Sequence, residues 1–156
     1  METLMHIVIQ GAGRGLGLAF AHHALRAGAT NLYLTARNPQ DCEGFRQLQP
    51  SERVQWFNLD FLNSDQIATT GEGILAAAPH IDRIIVTAGI LHDGEIQPEK
   101  RVGALEAEAM LYLYQINAMG PVLFLKSLWP ALRRAHPITA ALSLIHISEP
   151  TRRGII

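Results

Sequence analysis

The sequence predicts an α/β protein built on a doubly wound parallel sheet. Three observations carry this. Short apolar runs of β type alternate with helical patterns along the chain. A glycine-rich turn follows the first of those runs and opens straight into a helical pattern, HIVIQGAGRGLG at residues 6 to 17. The run from Arg83 to Thr87 (RIIVT) is short and apolar throughout, as a strand buried on both faces should be.

The elements follow in order. Ile7-Val8-Ile9 form the first strand, and Leu16 to Ala27 a helix that Gly28 closes as the glycine past its last turn. Asn31 to Thr35 (NLYLT) is the second strand. Asn38 to Leu48 is polar and carries a short helix starting near Pro39. Arg53 to Leu59 (RVQWFNL) is the third strand. Asn63 or Ser64 caps a helix running to about Ala78, where Pro79 stops it. After the fourth strand, Ala104 to Ala135 reads as one long helix or two, with Pro121 as a kink or a start. Residues from Ile138 onward are β-rich again and give a fifth strand. Strands alternating with helices imply right-handed crossovers. The glycine turn after strand 1 then selects the order 3-2-1-4-5, a Rossmann-type sheet that stops after strand 5.

A chain of 156 residues is one domain's worth, and 48% hydrophobic residues suffice for its core. A net charge of −1 leaves no electrostatic footprint for nucleic acid or an anionic membrane. The single Cys42 cannot form an internal disulfide, so a reducing, cytoplasmic compartment is expected. No basic stretch precedes the first apolar run, and no signal peptide or membrane span is expected. None of the seven histidines has a metal-ligand spacing; His22 and His23 are adjacent and diverge on a helix.

The chemistry starts in the glycine turn. Gly11, Gly15 and Gly17 stand in a G-x-x-x-G-x-G spacing, with Gly13 between them and Arg14 and Leu16 interleaved. Glycine lets the backbone turn tightly and lets a pyrophosphate approach without meeting a Cβ. The helix behind it offers free N–H groups and a partial positive charge to that phosphate. Strand, glycine turn and helix together therefore point to a bound dinucleotide. Gly13 reads as turn geometry more than as ligand contact.

Leu16 occupies the place of the third glycine of G-x-G-x-x-G, and the spacing instead resembles that of the short-chain dehydrogenase/reductase family. Three further segments agree in order. Asn58-Leu59-Asp60-Phe61 resembles the segment after strand 3, where an aspartate holds the adenine amino group. Val86-Thr87-Ala88-Gly89 resembles the Asn-Ala-Gly segment ending strand 4, with Thr87 in place of asparagine. Tyr114 to Pro121 (YQINAMGP) resembles the long-helix segment that holds a structural and catalytic asparagine. The resemblance covers residues 5 to 142. It implies carbonyl or alcohol hydride transfer on a small-molecule substrate, with Asn117 helping to hold a proton-relay water. It also implies a parent protein that pairs as a homodimer or homotetramer, with neither nucleic acid nor membrane as partner. The segment GILHDGEIQPEKR further resembles a subgroup related to the bacterial C-factor cell-signalling proteins.

Blander readings stand beside these. Asp60 also reads as a turn or cap residue, and Asn117 as a solvated polar residue in a helix. Tyr112 and Tyr114 read as core aromatics, and His92, Asp93 and Glu95 as solvated loop residues.

The cofactor expectation goes one step further. An NAD site places an acid about 20 residues past the glycines, on the ribose 2′-hydroxyl. Here strand 2 ends in Thr35-Ala36-Arg37-Asn38, without an acid. Arg37 is placed to fork a 2′-phosphate, and Arg14 to approach it from the other side. NADP(H) is therefore expected over NAD(H).

The family's proton donor is a tyrosine tuned by a lysine four residues on. Lys100 and Lys126 are the only lysines, and Ile96 and Val122 stand four residues before them. The chain is thus expected to be a cofactor-binding unit, residues 1–141, that is catalytically incomplete. A non-catalytic NADP(H)-binding sensor is the alternative. Residues 142 to 152 (LSLIHISEPTR) resemble a one-frame translation of the transposase adapter of short-read sequencing libraries. An index and the following fixed arm account for residues 153–156, so residues 142–156 are expected to be a non-native tail. Ser148, near where the family keeps a serine, is read as mimicry.

Overall fold

A computed structural model describes residues 5–87, 89–90, 94, 96, 101–135 and 139–142. Strands β1 (His6–Gln10), β2 (Asn31–Ala36), β3 (Val54–Asn58), β4 (Arg83–Val86) and β5 (Thr139–Leu142) form one sheet in the order β3-β2-β1-β4-β5. All four pairings are parallel. Gln10 lies opposite both Thr35 and Val86, and Ala36 opposite Asn58. The carboxyl ends of the first four strands are therefore nearly level, and their loops leave along one edge.

The helices are α1 (Gly15–Arg26), α2 (Glu43–Gln47), α3 (Ser64–Ala77), α4 (Ala107–Tyr114) and α5 (Gly120–Leu132). Alternation along the strands sends side chains to both faces. Ile7, Ile9, Leu32 and Leu34 pack with Leu18, Ala21 and Ala24 of α1. Val8, Tyr33 and Ile84 pack on the other face with Ile67 and Ile74 of α3 and Phe124 and Leu128 of α5. Each large side chain so buried contributes roughly 1.5–3 kcal/mol.

The local signals act as the sequence predicts at several ends. Gly28 closes α1 with φ +87°, and Asn63, not Ser64, caps α3: its Oδ1 accepts from Gln66 N at 2.9 Å. The polar stretch after β2 splits into a 3₁₀ turn at Pro39–Asp41 and the short α2. The long helical stretch departs from expectation. The helical backbone runs unbroken from α4 into α5, and Pro121 stands inside that run without ending it. The irregularity lies just before it, in a π turn over Gln115–Met119 whose wide ring is closed by Gly120 N donating to Gln115 O.

At the opposite edge of the sheet, β1 begins in a buried polar cluster. His6 N donates to Asp82 Oδ2 at 2.8 Å, and the same oxygen lies 3.2 Å from His80 Nε2. Tyr33 Oη donates to Ala77 O at 3.1 Å, so the 2.9 Å bond between Tyr33 Oη and His6 Nδ1 has the imidazole as donor. That arrangement needs a proton on Nδ1, which the neutral Nδ1–H tautomer of His6 supplies. Burial, then the neighbouring His80, holds its pKa below the ordinary 6.5 against the opposing pull of Asp82. Burial likewise raises the Tyr33 phenol.

Candidate functional site

The loop after β1 is pulled onto the end of β2. Gly11 N and Ala12 N both donate to Thr35 O, at 3.1 and 3.0 Å. Arg14 then runs extended into α1, and no side chain caps that helix. Its first turn holds no carboxylate either. The N–H groups of Gly15, Leu16 and Gly17 are thus left for an outside acceptor, which is what an anion site at a helix N-terminus requires.

Two glycines are needed here for different reasons. Gly15 has φ +56°, and the place where its Cβ would stand is open space. Gly17 is buried, and a Cβ there would overlap Gly11 O and lie 2.7 Å from Thr87 Oγ1. The start of α1 therefore rests directly on the ends of β1 and β4. Gly13 is packed against Cys42 and Ala36, in keeping with a turn role. Arg14 and Leu16 are exposed beside it, Leu16 at 55%.

Thr87 closes the other side of this cleft. Its Oγ1 and its N–H both reach Gln10 O, at 2.8 and 3.1 Å, so the side chain joins β4 to β1. Gly89 follows, half-buried. Ala88, His92, Asp93, Glu95 and Lys100 lie outside the described residues.

The remaining loops bring further residues to the same edge. Arg37, one position past β2, is exposed. Among the described residues, neither its side chain nor that of Arg14 has a hydrogen-bond or ion-pair partner. Asp60, past β3, is half-buried, and its Oδ1 accepts from Leu62 N at 3.0 Å. That is a turn bond, and among the described residues Oδ2 has no hydrogen-bond partner. Phe61 is 5% exposed, with its ring in the core beside that of Phe124 at 6.3 Å. Only its backbone belongs to the loop.

Asn117 sits in the π turn, and its side chain does not point into water. Nδ2 donates to Ile90 O at 2.7 Å, and Oδ1 accepts from Ile90 N at 2.8 Å. Both ends of the amide hold the segment after β4. Tyr114 is 58% exposed rather than core, and Tyr112 is half-buried. Lys126 is exposed on α5.

Two residues of this edge escape sequence reasoning. Gln66 Oε1 accepts from Asp60 N at 2.6 Å, and Gln115 Nε2 donates to Leu62 O at 3.2 Å. The first had a signal: Asn63-x-x-Gln66 has the spacing of a capping box, in which the Gln side chain turns back towards the preceding loop. Nothing local marks the second.

The result is a glycine-lined, uncapped helix N-terminus where β1 and β4 part, flanked by two cations, with an aspartate in a neighbouring loop. That donor set suits a phosphorylated nucleotide at a topological switch point. Among the described residues no group of His, Cys, Asp and Glu is placed to hold a metal ion. No described helix is long and apolar enough to cross a membrane.

Known proteins share this sequence pattern and this fold. The family model for short chain dehydrogenases matches residues 5–138. A 3-dehydrosphinganine reductase of Arabidopsis thaliana is 27% identical over 130 residues, which cover 82% of this chain and 36% of that protein. A carbonyl reductase of Pseudomonas aeruginosa PAO1, solved in complex with NADP, is 30% identical with a TM-score of 0.74. The match covers 89% of this chain and 60% of the reductase. A short-chain dehydrogenase of Streptomyces avermitilis shares the fold at a TM-score of 0.76 and 21% identity, over 91% of this chain and 49% of that one. The chain thus spans only part of the length of these relatives. By its family match, its sheet order and the site at the switch point, the chain belongs to the short-chain dehydrogenase family.

Proposed function

We propose that the chain is the cofactor-binding part of an NADP(H)-dependent oxidoreductase that moves hydride between the nicotinamide and a small-molecule carbonyl or alcohol. The observation that carries this reading is the uncapped, carboxylate-free N-terminus of α1 behind Gly11, Gly15 and Gly17. Its N–H groups hold the pyrophosphate. Asp60 takes the adenine amino group through its carboxylate. Arg37 and Arg14 take the 2′-phosphate, where an acid would have repelled it. The stretch from Thr87 through Ala88 to Gly89 lines the other half of the cleft. The NADP complex of the Pseudomonas carbonyl reductase supports the cofactor class.

NADPH supplies the hydride when bound; the matching proton needs a separate donor. No Tyr-x-x-x-Lys stands in this chain, so we read the chain by itself as catalytically silent and the parent protein as the enzyme. A second reading is an NADP(H)-binding sensor that signals through a partner. A Tyr-x-x-x-Lys pair in a longer coding sequence from the source DNA supports the enzyme, and a longer sequence without it supports the sensor. Residues 142–156 we read as adapter-derived. Codons other than the adapter's for residues 142–152 would overturn that. A cytoplasmic location is proposed with this reading, as is pairing of the parent through α4 and α5. There Met110, Leu111, Tyr114, Val122 and Trp129 are exposed.

The test of the cofactor reading is titration of the chain with NADPH and NADH. NADPH should bind more tightly, and Arg37→Ala should weaken NADPH roughly 10- to 100-fold, as loss of a charged hydrogen bond does, while NADH changes little. Equal affinities in the wild type would sink it.

A further inference from the structure

We propose that Gln115 is a positioning residue for the adenine end of this site and acts on Asp60 through Leu62; the inference rests on the reading that Asp60 holds adenine. A short relay joins them. Gln115 Nε2 donates to Leu62 O at 3.2 Å, and Leu62 N donates to Asp60 Oδ1 at 3.0 Å. One residue therefore takes its carbonyl partner from the π turn and gives its amide to the aspartate. The rest of the loop is equally constrained. Asp60 N donates to Gln66 Oε1 at 2.6 Å, and Asn63 N donates to Asp60 O at 3.1 Å. The Phe61 ring lies against Gly120, where any Cβ would overlap it.

The π turn makes this reach available. Gln115 opens the turn, and the bond from Gly120 N to Gln115 O closes it around Asn117. Two residues apart, Gln115 and Asn117 serve different loops: Leu62 after β3, and Ile90 after β4. Without the Gln115 donor the Leu62 carbonyl loses its partner. The turn that presents the Asp60 carboxylate is then held by three hydrogen bonds in place of four, and its order falls. A carboxylate that must be ordered on binding holds its ligand less well than one already in place. The loss falls on the adenine half alone, because Thr87 and the glycine turn are held by other bonds.

The experiment titrates the 156-residue chain with two half-ligands, adenosine 2′,5′-bisphosphate and reduced nicotinamide mononucleotide. Gln115→Leu should weaken the bisphosphate roughly three- to tenfold, the loss expected for one hydrogen bond, and leave the mononucleotide unchanged. Gln115→Glu, of the same length but without the donor, should show the same adenine-only loss. Gln115→Lys, which restores a donor, should recover most of the affinity. If Gln115→Leu and Gln115→Glu bind the bisphosphate like wild type while Asp60→Ala weakens it, the positioning role is wrong and the adenine reading stands. If both half-ligands weaken together, Gln115 supports the fold generally and the proposal fails. If Asp60→Ala binds the bisphosphate like wild type, the adenine reading falls and takes the inference with it.

Discussion

The side-chain amide of Asn117 makes both of its hydrogen bonds to one residue, Ile90, pairing with its N–H and its C=O as a neighbouring strand would. The segment after β4 is thereby fastened to the π turn between α4 and α5. Asn117→Leu keeps much of the volume and leaves both half-buried Ile90 groups unpaired. The expected cost is about 1–3 kcal/mol per group left without a partner. A urea midpoint unchanged from wild type would refute this. Amide exchange at Ile90 should also quicken.

The glycines of the first turn should separate under substitution by alanine. Gly17→Ala drives a Cβ into Gly11 O, where neither backbone can give way. A loss of about 3 kcal/mol and of nucleotide binding is expected. Gly15→Ala meets no atom, and its cost is only that of a left-handed φ, about 1–2 kcal/mol. Denaturant midpoints for the pair measure the ordering, and equal losses would show that space is not the constraint at Gly17.

Acid should weaken the fold through His6. Its folded pKa lies below 6.5 because burial and His80 disfavour the charged ring. At pH above 6.5 the imidazole is neutral in both states and the native arrangement holds in full. Between 6.5 and the lowered folded value the unfolded chain takes up a proton that the folded chain refuses, so stability falls with pH. Below the folded value this contribution flattens. Urea midpoints from pH 8 to 5 should show the decline, and His6→Asn should flatten part of it. An identical pH profile in His6→Asn would remove His6 from the explanation.

Self-association is expected from the exposed faces of α4 and α5. Leu111 is 67% exposed and Val122 61%. β5 also lies at an edge of the described sheet, and sheet edges invite pairing. Sedimentation should show a mass that rises with concentration and poor solubility. Leu111→Glu with Val122→Glu should lower that mass. A concentration-independent monomer with a cooperative melt would contradict the prediction.

Much of the fold is legible in the sequence because its signals are local. The apolar runs around Val8, Leu34 and Ile84 mark strands by themselves. Asn63 and Gly28 mark helix ends through bonds and angles made within a few residues. The glycine turn places the site because strand, turn and helix are contiguous. What escapes is long-range. Asn117 stands out in the sequence, but its partner Ile90 lies 27 residues away. Gln115 and Leu62 are 53 apart, and no short pattern joins them. Phe61 belongs to a loop by sequence and to the core by packing, since only the tertiary fold sets Gly120 above it. His6 looks like one more scattered histidine until Tyr33, His80 and Asp82 close around it.

The turn at Gln115–Met119 has a consequence for insertions and deletions. Each residue of a regular helix advances it by about 100°. Removing one residue, such as Ala118, would bring Gln115 O and Gly120 N to the four-residue spacing of an ordinary helix, so the wide ring relaxes while α5 keeps its phase. Phe124 and Leu128 would then stay on the sheet face, and the change would fall inside the turn, where Asn117 would shift away from Ile90. A deletion there should therefore spare the core and cost the loop contact, whereas the same deletion in the middle of α5 would turn its buried face off the sheet.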